Sequence, residues 1–218
     1  MKKILQIALW AVGSFFCFLI YKSVTGPIEF NKIKTERYTA VISKLKDIRD
    51  VQEAHRVITG KYANNFDELT KFIENAQFTI TSQRDTSWVE FDKNFKIDVL
   101  KQGVVVDTLG YVKVKDSLFK NSDRYKDLRF VPGAQNPKEE FVLKTASLDK
   151  NGYSASVFEV SVPKEKVLWG LDKDEIAKEI VKTSVEDVKG AEIKVGSLEE
   201  LSTNGNWPTS YDAKTARK

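Results

Sequence analysis

The chain is poor in the residues that carry most metal and redox chemistry, with one cysteine and one histidine among 218 residues. A lone Cys17 excludes an internal disulfide, so packing alone must hold the fold, and cysteine content leaves the compartment unread. A lone His55 excludes any site built on paired imidazoles, and its neighbours Glu53 and Arg56 make poor ligand company. Its ring is expected to sit half-buried where a long helix meets the domain that follows.

Other signatures are missing too. There is no glycine-rich phosphate loop, no G-x-S-x-G nucleophile motif and no EF-hand spacing. Asp172, Asp174 and Glu175 read as helix-start carboxylates, placed for the helix dipole. No catalytic, cofactor-binding or metal-binding residue is therefore assigned, and the chain is expected not to be an enzyme. A block of one charge sign is absent as well: 35 Lys and Arg stand against 31 Asp and Glu, interspersed, for a net charge of +4. That balance argues against a nucleic-acid partner.

What is present begins with an apolar run. Ile4 to Tyr21 contains no charged residue and, as a helix, spans roughly 27 Å, close to the hydrocarbon thickness of a bilayer. Ile4, Leu5, Trp10, Phe15, Phe16, Leu19 and Tyr21 are the expected lipid-facing anchor, with Tyr21 placed at the interface and Lys22 snorkelling outward. The run is longer than a signal-peptide core and no small-x-small cleavage site follows it, so an uncleaved anchor is favoured. Phe15 and Phe16 before Cys17 are too large for a lipobox. Basic residues flank both ends, and the compact Met-Lys-Lys start favours the amino terminus inside.

Past Gly26 and Pro27, apolar residues recur at three- and four-residue steps from Ile33 to Ile58, opposite a charged face. Val41, Leu45, Ile48 and Val51 define this stalk face, which must be covered by the chain's own later domain, by a partner, or by both. Gly60 should end the helix in a left-handed cap, and Asn65 or Asn64 should cap a short second helix from Phe66 to Glu74.

From Gln77 the period becomes alternating. Short strands are expected around 78–80, 88–91, 95–99, 104–106 and 111–114, with a hairpin turn at Lys101-Gln102-Gly103. Asp127 to Val131 reads as another strand, and Asn151-Gly152 marks a hairpin between 141–147 and 153–162. A helix capped by Asp172 or Asp174 should run to about Thr183 with Ile176, Ala177, Ile180 and Val181 buried. The strand after it, Ala191 to Val195, suggests a βαβ-like unit. After Leu201 the chain is expected to be mostly irregular, with Trp207 able to dock it.

The fold class that emerges is α+β: a transmembrane helix continuing into a long amphipathic stalk helix, then a mainly antiparallel β head with one C-terminal helix. Its parts are an anchor at 1–24, the stalk and short second helix at 25–75, a β-rich head at 76–201 and a tail at 202–218.

Two resemblances add to this. Val51-Gln52-Glu53-Ala54-His55 through Gly60-Lys61-Tyr62 and Phe66-Asp67-Glu68-Leu69 resembles the end of the long first helix of type IV pilins and pseudopilins. No peptidase site precedes the apolar run and no glutamate sits near its start, so a filament is not expected. More of the chain, through PIEFNK, KLKDIRDVQEA, TGKYANNFDEL, DLRFVP, LWGLDK and IKVGSLEE, resembles uncharacterised single-span envelope proteins of Bacteroidota. That resemblance implies an inner-membrane protein, single-pass, with a periplasmic C-terminal domain. The expected role is a non-enzymatic structural component of an envelope assembly, with membrane lipid and other proteins as partners and with the stalk face and sheet edges as contacts. Its alternatives are an alignment-platform subunit of a pilus or secretion machine, favoured by the βαβ signal, and a membrane-tethered enzyme or ligand-binding protein.

Overall fold

The apolar run and the 3.6-residue period that follows it become one continuous helix, α1, Lys2–Thr59, in the computed structural model, which describes residues 2–92, 95–120, 122–150 and 152–215. Pro27 lies inside α1 without ending it. The two halves of this helix meet different surroundings. From Lys3 to Val24 every described side chain is exposed, including Ile4, Trp10, Phe15, Phe16, Leu19 and Tyr21; the side chain of Leu5 lies outside the described residues. Among the described residues α1 is the one helix long and apolar enough to cross a membrane. That exposed apolar surface is consistent with single-pass anchoring, since lipid would cover it.

The upper half is covered by the chain itself. Tyr38, Val41, Ile42, Leu45, Ile48 and Val51 enter one core with residues of every later sheet and helix that packs on them, and Val41, Leu45, Ile48 and Val51 are each 0% exposed. Burying side chains of this size contributes roughly 1.5–3 kcal/mol apiece. The expectation that this face contacts partners is therefore corrected: the head occupies it. The stripe also stops sooner than its period implies, since Val57 and Ile58 remain exposed beside the helix end.

Gly60 ends α1 at φ +83°, donating its N–H to the Arg56 carbonyl at 2.8 Å. Gln52, fully buried, then pins the returning chain by donating to the Ala63 carbonyl at 3.0 Å and accepting from Ala63 N–H at 2.9 Å. Helix α2, Phe66–Asn75, starts as expected at Asn65, whose side chain accepts from Glu68 N–H while the Glu68 carboxylate accepts from Asn64 N–H, each at 2.8 Å. Phe66, Leu69, Phe72 and Ile73 are its buried face.

The five short strands expected next are two long ones. β1, Gln77–Asp92, and β2, Ile97–Lys113, pair antiparallel in a two-stranded ribbon of their own. The turn is not at Lys101–Gly103, which lies inside β2 opposite Thr86, Ser87 and Trp88; the last pair of the ribbon is Asp92 with Ile97, and residues 93 and 94 lie outside the described residues. Gly103 misled because glycine marks turns, whereas here the Trp88 ring lies over it: a Cβ at that position would fall 2.7 Å from the ring.

Beyond the ribbon come α3, Val114–Phe119, and a 3-10 turn, Arg124–Asp127. The strand expected at 127–131 is reduced to one bridge, Phe130 to Glu140. Lys44 of α1 explains this by drawing in the carbonyls of Asp127 and Phe130 at 2.7 and 2.9 Å, which bends the segment around its ammonium. β3, Val142–Lys150, β4, Tyr153–Pro163, and β5, Glu192–Gly196, then form a second sheet in the order β3-β4-β5, with antiparallel pairing throughout. Antiparallel β4 and β5 rule out the expected βαβ unit, because the short α4, Lys164–Val167, and α5, Lys173–Ile180, return the chain beside β4 in the opposite sense. The last segment is less irregular than expected: Gly205 bridges to Val195, α6 covers Ser210–Thr215, and half-buried Trp207 packs on the core.

Candidate interaction surfaces

Three places merit a functional reading: His55, a buried charge cluster and the ribbon. His55 is buried between α1 and α2, tilted against the Phe72 ring at 4.7 Å, with Nδ1 at 2.7 Å from the Lys61 carbonyl and Nε2 at 3.7 Å from the Glu68 carboxylate. More buried than expected, it ties the helix end to the turn. Asp172 caps α5, its carboxylate accepting from the N–H groups of Asp174 and Glu175 at 2.9 and 3.2 Å. Among the described residues no three His, Cys, Asp or Glu side chains gather as a metal site would require. A groove of about 580 Å³ forms an open trough between 185–189 and 205–210 past Trp207.

The charge cluster centres on Glu179, a residue that the expected stripe of α5 left out. Its carboxylate is 2% exposed, while Ala177 and Val181, expected inside, are exposed and Ile176 and Ile180 are half-buried. Lys34 of α1 and Lys182 stand 3.1 and 3.0 Å from one carboxylate oxygen. Lys164, fully buried at the start of α4, lies 3.8 Å from the other and donates to the carbonyls of Glu179 and Val188, both at 2.7 Å. Burial pushes the Lys164 pKa down, with Glu179 acting against it. Tyr38 of α1 completes the group. Burial first, then the charge of Glu179, holds its phenol protonated well above the ordinary range. Lys34, Lys164 and Lys182 are each held by Glu179, and together they clamp α1 to the α4–β5 segment, while the buried Tyr38 hydroxyl has no hydrogen-bond partner among the described residues.

The ribbon differs in kind. From Gln77 to Lys113 none of the described side chains is buried, and only its base touches the core, where Phe78 packs against it and Val114 N–H reaches the Ala76 carbonyl at 3.0 Å. Its 16- and 17-residue strands give an arm on the order of 50 Å long. The register sorts its side chains into two faces. On one, Arg84 pairs with Asp107 at 3.5 Å, Lys101 pairs with Glu90 at 2.7 Å, and Trp88 covers Gly103. On the other, Val89 opposes Leu100, and Val104, Val106 and Phe91 stand opposite Asp85, Gln83 and Asp98, with all five apolar side chains exposed. Both outer strand edges are unpaired among the described residues.

The sequence pointed to sheet edges as contacts but missed this arm. A signal was there: Thr81 to Ser87 is an unbroken polar run, which no strand with one buried face could be. Comparison with known proteins supplies no relative to read the arm by, as no family model, curated protein or solved structure matches this chain.

Proposed function

We propose that this chain is a non-enzymatic, single-pass membrane protein that serves as a structural component of an envelope assembly, and that the β1–β2 ribbon is its contact element. The ribbon carries the reading. An isolated two-stranded hairpin is marginal in water, and a long one exposing Val, Leu, Phe and Trp side chains gains stability only when something covers it. The clamped head then serves as a rigid base, and the anchor confines the arm to the membrane surface. The inner membrane as location and the periplasm as the side of the head follow the resemblance to single-span envelope proteins. The alignment-platform alternative loses the βαβ unit that favoured it, because β4 and β5 run antiparallel.

The test is a pair of crosslinking captures in native membrane, one with the full chain and one with residues 81–108 replaced by a short turn. Adducts that disappear with the arm, while the head keeps its protease resistance, are the expected result. Identical adducts from both chains would refute the ribbon as the contact element.

A further inference from the structure

Resting on that reading, we infer that the ribbon's partner is a second copy of this chain, joined by antiparallel pairing of the two β2 edges about a two-fold axis at Val104. The choice of edge follows from composition. β1 is polar from Thr81 to Ser87, whereas β2 carries Val99-Leu100 and Val104-Val105-Val106 with no proline along its length. β-branched residues with few charges and a free edge are the material of strand addition.

The register follows from charge. An antiparallel two-fold centred on Val104 sets Lys101 of each copy directly opposite Asp107 of the other, on the same face. Those residues already hold Glu90 and Arg84 within their own ribbons. Across the four strands the row becomes Glu90, Lys101, then Asp107 and Arg84 of the second copy, alternating in sign, and the two-fold repeats it. Opposite charges facing one another across strands are favourable and like charges are not. On the other face Val104 meets its own counterpart, and Val106 meets Gln102. Pairing also has a natural stop. The register shifts between Ile80 and Thr81, where β2 carries Leu109 as an extra residue, and a bulge of that kind ends regular pairing. The uninterrupted stretch on β2 therefore runs from Ile97 to Thr108. Joining two ribbons makes a four-stranded sheet, past the three strands that independent stability asks for.

Cysteine scanning on the full chain in membranes tests this directly. Cys17, exposed in the anchor, is first replaced by Cys17→Ser. Facing residues of an antiparallel pair lie about 4.5–5.5 Å apart at Cα, within disulfide reach. Val104→Cys should oxidise to a dimer of twice the chain mass. Val106→Cys, whose counterpart would sit about 13 Å away along the strand, should give about tenfold less. Lys101→Asp or Asp107→Lys should reduce the Val104→Cys dimer, and the two together should raise it above either alone. No dimer at 104, equal yields at 104 and 106, or a dimer through Ser87→Cys on the β1 edge would overturn the inference. Capture of a different protein at Val104→Cys would overturn it while leaving the ribbon an assembly contact. Loss of every ribbon adduct would remove both readings.

Discussion

The two sheets of this head are antiparallel, close in sequence and built from similar residues, yet they live under opposite conditions. The β3-β4-β5 sheet turns Phe158, Val160, Val162, Ile193 and Val195 into the core against α1, while none of the described side chains of the β1–β2 ribbon is fully buried. One sheet gets its stability from packing on the core, and the other has no such cover among the described residues. The difference separates structure from contact: side chains held by their own fold have a job already, and those left bare are available.

The contrast is broken most severely at the clamp. Glu179→Ala leaves Lys34, Lys164 and Lys182 facing one another without their shared carboxylate, and removing one partner of a buried ionic group costs about 3–5 kcal/mol. Denaturant unfolding of the full chain in detergent should show a loss of that order. A loss under about 1 kcal/mol would mean that the cluster is solvated and holds nothing.

Glycine sharpens the comparison. At Gly196 in β5, φ is +79° and a Cβ would fall 2.2 Å from the Phe158 backbone oxygen, so neither the dihedral nor the space admits a side chain. Gly196→Ala should cost roughly 2–3 kcal/mol. At Gly103 in β2 the obstacle is the end of the Trp88 side chain, which can swing aside. Gly103→Ala should shift tryptophan emission while moving head stability by less than about 0.5 kcal/mol, as a surface change does. Equal costs at the two glycines would show that the ribbon is part of the cooperative fold.

What could be read from the sequence follows the same division. The apolar run, the Gly60 stop, the Asn65 cap, the Phe66–Ile73 face and the 150–153 reversal are local, each decided within a few residues, and the structure has them all. Lys34 and Glu179 are 145 residues apart, and no period on α5 marks a glutamate for burial. The ribbon was misread for a related reason. Alternation reports a strand with one covered face, and a strand covered on neither offers scattered apolar residues that look like several short pieces. Its glycine then looked like a turn, because the tryptophan that fills the space lies on the neighbouring strand.

Alkali offers the mildest test of the clamped region, and its direction can be worked out. Tyr38 and Tyr211 are both pushed up, burial being the first cause in each case. An acid whose folded pKa is raised gives stability that is complete below its unfolded value, near 10, and is lost as pH rises beyond it. Lys164 acts the other way. Its folded pKa lies below 10.5, so its contribution makes stability rise with pH up to about 10.5 and then stay level. Lys182, pushed up by its partners Asp187 and Glu179 in spite of partial burial, adds to the loss above 10.5. Glu179, then Tyr211 and Asp187, are the groups whose charge acts on the Tyr38 phenol. Stability should therefore hold to about pH 10.5 and then fall, with Tyr38 alone responsible for about 1.4 kcal/mol per pH unit. Absorbance near 295 nm, which follows tyrosinate, should show part of the seven-tyrosine signal appearing only with unfolding. Tyr38→Phe should flatten the fall. An unchanged slope in that variant would mean that the phenol reaches water, and that the clamp is open on the side of α1.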